Sequence, residues 1–101
     1  MQIKIILKSN FEAKKIEVDT TKNLFLVNNV QKNINTFDFA ENLCKIIFGW
    51  KSEYIGPNVI DGESFVIEIT EGGNKKTITG FNAFPQNYNK FLKLVMGVVE
   101  C

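Results

Sequence analysis

Two segments of the chain have the hydrophobic period of an α-helix, and the apolar side chains of each cover an unusually wide arc. The first runs from Asn35 to Lys51 and the second from Pro85 to about Val99. Each arc spans roughly 200° of the circumference, whereas a helix that packs on a single layer needs an apolar stripe of only about 100°. Each helix is therefore expected to contact two partners, which is possible when both helices lie side by side on one face of a sheet.

The first helix divides into two apolar stripes. One contains Phe39, Leu43, Ile46, Ile47 and Trp50, and the adjacent one contains Phe37, Ala40, Cys44 and Phe48. We expect these stripes to be divided between the sheet and the second helix. Asn35 or Thr36 is placed to cap the first turn, and Pro85 suits the first position of the second helix because its missing N–H needs no partner there.

Three strands are predicted before the first helix. Residues 2–8 and 14–19 alternate between apolar and polar side chains, which is typical of half-buried strands. Residues 24–28 are apolar on both faces, which favours a strand inside the sheet or one covered on both sides.

A hairpin is predicted around Gly72-Gly73, a dipeptide suited to a two-residue turn. Counting outward from this turn places Phe65 opposite Gly80, with the apolar side chains on one face. The full predicted register pairs Glu71 with Asn74, Ile69 with Lys76, Ile67 with Ile78 and Phe65 with Gly80.

Together these elements predict an α+β fold. We expect an antiparallel sheet of about five strands, in the chain order β-β-β-α-β-β-α, with two helices packed on one face. The whole chain, residues 1–101, is expected to form a single domain.

The composition argues against most catalytic designs. The chain has no histidine, which removes the most common general base and the most common transition-metal ligand. Cys44 is expected in the core and Cys101 at the surface, and their spacing fits neither a metal site nor a disulfide framework. We therefore predict no enzyme activity, no cofactor and no metal.

One acidic cluster leaves a carboxylate- or metal-dependent enzyme open as a third hypothesis. It contains Glu53, Asp61, Glu63, Glu68 and Glu71. Such carboxylates can bind Ca²⁺ or Mg²⁺, or supply an acid and a base. The simpler interpretation is a solvated rim of loop and strand.

The remaining sequence features predict the cellular location of the protein and the kind of organism that encodes it. No apolar run approaches the roughly 20 residues that cross a bilayer, and no secretion signal is recognised, so we predict a cytoplasmic protein without membrane contact. Abundant Lys, Asn, Ile and Phe without arginine is typical of A/T-rich coding sequence, which suggests a low-GC bacterium or its phage.

The predicted functional surface is the sheet face that the helices leave open. If Leu24 and Leu26 face the helices, alternation places an apolar island on the outer face. This island consists of Ile6, Phe25, Val27 and Val66. Exposed apolar area rimmed by charge usually marks an interaction site, which predicts a small module that binds another protein or itself, with a homodimer possible.

Two structural alternatives to an exposed island stay open. The strands that hold these residues need not be neighbours, or the loops at 28–35 or 51–64 could cover them.

A second functional hypothesis is a nucleic-acid-binding domain that uses lysines and aromatic residues on the sheet, with no particular residues assigned. The 12 lysines could hold phosphates as point charges, but the missing arginine and the net charge of +1 make this the weaker hypothesis.

Overall fold

The structure, a computed structural model, describes residues 1–9, 12–57 and 62–100. Within these ranges it contains seven strands and two helices. The strands are β1 (Gln2–Lys8), β2 (Ala13–Asp19), β3 (Leu24–Val27), β4 (Val30–Gln31), β5 (Glu53–Ile55), β6 (Ser64–Glu71) and β7 (Asn74–Phe81), and the helices are α1 (Thr36–Ile47) and α2 (Tyr88–Val99).

All described strands join one mixed sheet in the order β4-β3-β2-β1-β6-β7-β5. Neighbouring strands are antiparallel except for β5 and β7, which are parallel. The predicted α+β class is confirmed, whereas the expectation of about five strands, all antiparallel, is wrong. The two additional strands, β4 and β5, are only two and three residues long, too short to show an alternating pattern.

The β6–β7 hairpin has the predicted register. Gly72 and Gly73 form its turn with φ angles of +62° and +109°, which glycine adopts without steric cost. Phe65 lies opposite Gly80 as predicted, and the remaining predicted pairs are also present. Strand β6 of the hairpin pairs with β1, so that β1 lies between two antiparallel neighbours, β2 and β6.

Both helices are shorter than predicted. The side-chain oxygen of Asn35 accepts a hydrogen bond from the backbone N–H of Asp38 at 3.1 Å, which caps the start of α1. Gly49 has a φ of +82°, a left-handed conformation that stops the helix before the predicted Lys51. The second helix begins at Tyr88 and not at Pro85, because the residues between them form a turn closed by Tyr88 N–H and Pro85 O.

The core lies between the two helices and one face of the sheet. The ring of Phe39 in α1 packs edge-on against Phe25 in β3, with ring centroids 5.0 Å apart. In α2, Phe91 packs against Phe65 in β6 at 6.2 Å. Trp50 lies beside both Phe65 and Phe91 and so connects the end of α1 to α2 and the sheet.

The second apolar stripe of α1 is not buried as a whole. Phe37 is 66% exposed and Phe48 is 87% exposed, whereas Ala40 is buried and Cys44 is half-buried. The two helices contact each other, as expected, but α2 does not cover Phe37 and Phe48 of this stripe. The fold therefore leaves aromatic side chains of α1 exposed to solvent.

No helix in the described part of the chain is long and apolar enough to span a bilayer.

Candidate functional site

Two of the four predicted site residues lie together at the centre of the outer sheet face. Ile6 in β1 is directly opposite Val66 in β6, and both are half-buried. They point away from the helices because Ile5 and Ile67, their neighbours along the strands, are fully buried in the core. The predicted placement of Ile6 and Val66 is therefore confirmed, while their role in binding stays a prediction.

Phe25 and Val27 lie on the opposite face, and their predicted position on the outer face is wrong. Phe25 pairs with Val18 and is 1% exposed, and Val27 pairs with Ile16 and is 5% exposed. Both side chains belong to the core between the sheet and the helices.

The turn before β3 explains this reversal. Asp19 accepts hydrogen bonds at Oδ1 from the backbone N–H groups of Thr21 and Lys22, at 3.0 and 3.1 Å. The bond from Lys22 is the main reason why the pKa of Asp19 lies below its ordinary value. The turn closes with Leu24 opposite Asp19, and because Asp19 is on the outer face, Leu24 is as well. A count outward from this turn would have given the correct face.

Leu24 and Leu26, which were expected to face the helices, take the outer positions of β3, and two further apolar side chains lie on the same face in β7 and β5. Phe81 in β7 is 40% exposed, and Ile55 in β5 lies opposite it and is 72% exposed. Val66 pairs with Thr79, so Phe81 is its diagonal neighbour, within reach of a long side chain. We call these four residues the sheet patch: Ile6, Val66, Phe81 and Ile55. The sequence prediction missed Ile55 because it did not include β5, and it missed Phe81 because the predicted hairpin ended at Gly80.

Parts of the two loops that could have covered this face extend the sheet, and Gly62 of the second loop lies against the Phe81 ring. Part of 28–35 forms β4 beside β3, and part of 51–64 forms β5 beside β7. Residues 58–61 lie outside the described part of the chain, as does Cys101, so Asp61 of the predicted acidic cluster cannot be placed.

Asn82 fixes the backbone next to the sheet patch. It has a φ of 53°. Its Oδ1 accepts from the N–H of Glu63 at 2.9 Å, and its Nδ2 donates to the carbonyl of Pro57 at 2.8 Å. On the same side, Gly62 lies so close to the Phe81 ring that a Cβ there would stand 3.1 Å from two ring atoms. The exposed ring of Phe81 is thus held in place by its surroundings.

Charges of both signs surround the apolar centre. Lys15 and Glu17 form an ion pair at 3.3 Å, and Lys75 and Glu68 form another at 3.7 Å. Lys4 lies between Glu17 and Glu68 in the register of the sheet. The outer face therefore has no strongly basic or acidic area among these residues.

Catalytic groups do not converge at this face. In the described ranges, no group of three or more Cys, Asp or Glu side chains is arranged to hold a metal ion, and the sequence has no histidine. Burial raises the pKa of the Cys44 thiol, which makes it a poor nucleophile at neutral pH. Burial, with a smaller contribution from Glu63, raises the pKa of Tyr88 to about 12.

No family model, curated protein or solved structure shows a significant match to the chain.

Proposed function

We propose that the protein is a non-enzymatic interaction domain that binds another protein through the sheet patch. The observation that carries this proposal is the exposure of Ile55 and Phe81, at 72% and 40%, beside the paired Ile6 and Val66 on a polar sheet face. Contiguous exposed apolar area with a charged rim usually marks a protein interaction site. Mixed charges around it favour a partner that presents an apolar centre with both acidic and basic side chains around it.

The same face offers little support for nucleic-acid binding. Lys4 lies between Glu17 and Glu68, and Lys15 and Lys75 are each paired with a glutamate. A phosphate backbone would meet the negative charges of Glu17 and Glu68 beside each lysine. The described carboxylates of the acidic cluster are spread over β5, β6 and the segment before β6, which gives an enzyme hypothesis no convergent acid and base.

The proposal can be tested by placing a photoreactive benzoylphenylalanine at position 81, Phe81→benzoylphenylalanine, in cells of the source organism. We expect irradiation to attach one other protein to the domain, because an aromatic side chain at this position would lie inside the interface. The matched control carries the same group at Thr77, which is exposed on the same face but next to Glu68. This control should give little of the same product.

A second variant identifies the contact. Ile55→Lys in the position-81 protein should abolish the cross-linked product while leaving the fold intact, because Ile55 is mostly exposed. A product of twice 11.5 kDa would instead show that the sheet patch binds a second copy. Equal products at positions 77 and 81, or no product at either position, would contradict the proposal.

A further inference from the structure

A second apolar surface lies on α1, on the other side of the molecule from the sheet patch. Phe37, Glu41, Cys44 and Phe48 follow the helical spacing, and at 100° per residue they fall within a sector of about 60°. Phe37 and Phe48 are 66% and 87% exposed, and Lys45 is bound to Glu41 by an ion pair of 3.2 Å. We call these five residues the helix stripe.

Two adjacent open recesses follow the helix stripe. One is lined by Phe37, Ala40, Glu41 and Cys44, together with Met1, Thr20 and Glu71, and has a volume of about 320 Å³. The other is lined by Glu41, Cys44, Lys45 and Phe48. Because a cavity of about 150 Å³ is enough to hold a benzene ring, the first recess has room for one phenyl side chain.

The order of residues along the helix stripe is self-complementary. An aromatic ring stands near each end, and an acidic and a basic side chain lie between them. When two copies of α1 lie antiparallel, Phe48 of one copy faces Phe37 of the other, and Glu41 of one comes within a turn of Lys45 of the other. A parallel arrangement would place like charges together. This complementarity, with a net charge of only +1, favours a second copy of the chain as the occupant.

We propose that the protein forms a two-fold symmetric dimer through the helix stripe, in which Phe48 of each copy enters the recess beside Phe37 of the other. The contact is isologous, so each ring and each ion pair occurs twice. It is independent of the sheet patch, because the two surfaces lie on opposite sides of the sheet layer.

Sedimentation equilibrium of the purified protein tests this proposal. We expect a species of twice 11.5 kDa that dissociates on dilution. Phe48→Lys should raise the dissociation constant roughly tenfold or more, because it removes an aromatic contact from both copies. Circular dichroism should show an unchanged fold, since Phe48 is almost fully exposed. Ile55→Lys, in the sheet patch, is the matched control and should leave the dimer intact.

A charge exchange tests the antiparallel orientation. Glu41→Lys alone and Lys45→Glu alone should each weaken the dimer, because each creates two like-charged contacts across the two-fold axis. The double variant Glu41→Lys/Lys45→Glu should restore it. Lys90→Glu, on the exposed side of α2, should leave association unchanged.

A monomer at every concentration would overturn the proposal. So would a dimer that persists in Phe48→Lys or disappears in Ile55→Lys, because such a dimer would use another surface.

Discussion

Phe25 belongs to the core, and its replacement tests the corrected position of β3. The ring is 1% exposed and contacts Phe39. We expect Phe25→Ala to lower the free energy of unfolding by about 3–5 kcal/mol, as measured by urea denaturation, because the side chain leaves a cavity that the core cannot fill.

The matched control is Ile55→Ala on the outer face. Because Ile55 is 72% exposed, its truncation should change the free energy of unfolding by less than about 0.5 kcal/mol. A similarly small effect for Phe25→Ala would mean that its ring contributes nothing to the core and that β3 is inverted.

Tyr88 makes the stability depend on pH in the alkaline range. Its pKa is raised from 10.0 to about 12 in the folded protein, so the folded state holds the phenolic proton more tightly than the unfolded state does. The contribution of Tyr88 is complete below about pH 10 and is lost as the pH rises through about 12. We expect the midpoint of urea unfolding to fall across this window.

The comparison with Tyr88→Phe separates the effect of Tyr88 ionisation on stability from the effect of the lysines, which also lose their charge at alkaline pH. The variant has no phenol to ionise, so the fall in its urea midpoint between pH 10 and 12 should be smaller. Identical pH profiles for the two proteins would show that Tyr88 ionises normally in the folded state.

At the level of elements, the alternating and helical patterns were enough to predict five strands and both helices. The β6–β7 register followed from Gly72-Gly73 because a two-residue turn leaves one way to pair the strands. β3 could be predicted as a strand, but alternation could not show which of its side chains face the helices. Leu24 and Leu26 are as apolar as Phe25 and Val27. The edge strand β5 depends on contacts with β7 that are distant in sequence.

Two glycines in different elements are expected to respond in opposite ways to the same substitution. A Cβ at Gly80 in β7 would overlap the ring of Phe65 across the hairpin, so Gly80→Ala should lower the free energy of unfolding by about 1–3 kcal/mol. Gly97 in α2 has open space around it, and Gly97→Ala should raise the free energy by about 0.5–1 kcal/mol because alanine favours the helix.

Thermal or urea unfolding of these two variants provides the measurement. If Gly80→Ala is as stable as the original protein, the Phe65 ring is free to move away from β7. A destabilised Gly97→Ala would indicate that this side of α2 is covered by another group.

At the level of the whole molecule, the arrangement of helices on one face was predictable, but the burial of their side chains was only partly so. Wide apolar arcs indicated two partners for α1, yet the exposed Phe37 and Phe48 show that a wide arc can also extend onto the surface. Of the predicted site, Ile6 and Val66 were placed correctly, because β1 and β6 alternate clearly. The position of Phe81 in the patch depended on knowing the sheet order.

The overall charge distribution leads to a prediction about nucleic acids. The net charge is +1, and Lys4, Lys15 and Lys75 on the outer face stand beside carboxylates. We therefore expect labelled single-stranded DNA to keep its electrophoretic mobility at low salt even with excess protein. Retardation that disappears as salt is added would instead support the nucleic-acid hypothesis.

The placement of both helices on one side of the sheet also decides the valency of an assembly. A dimer joined through α1 would leave the sheet patch of each copy open. Each patch could then hold a target, so that one dimer would bridge two molecules or attach with avidity to a target that repeats its binding site.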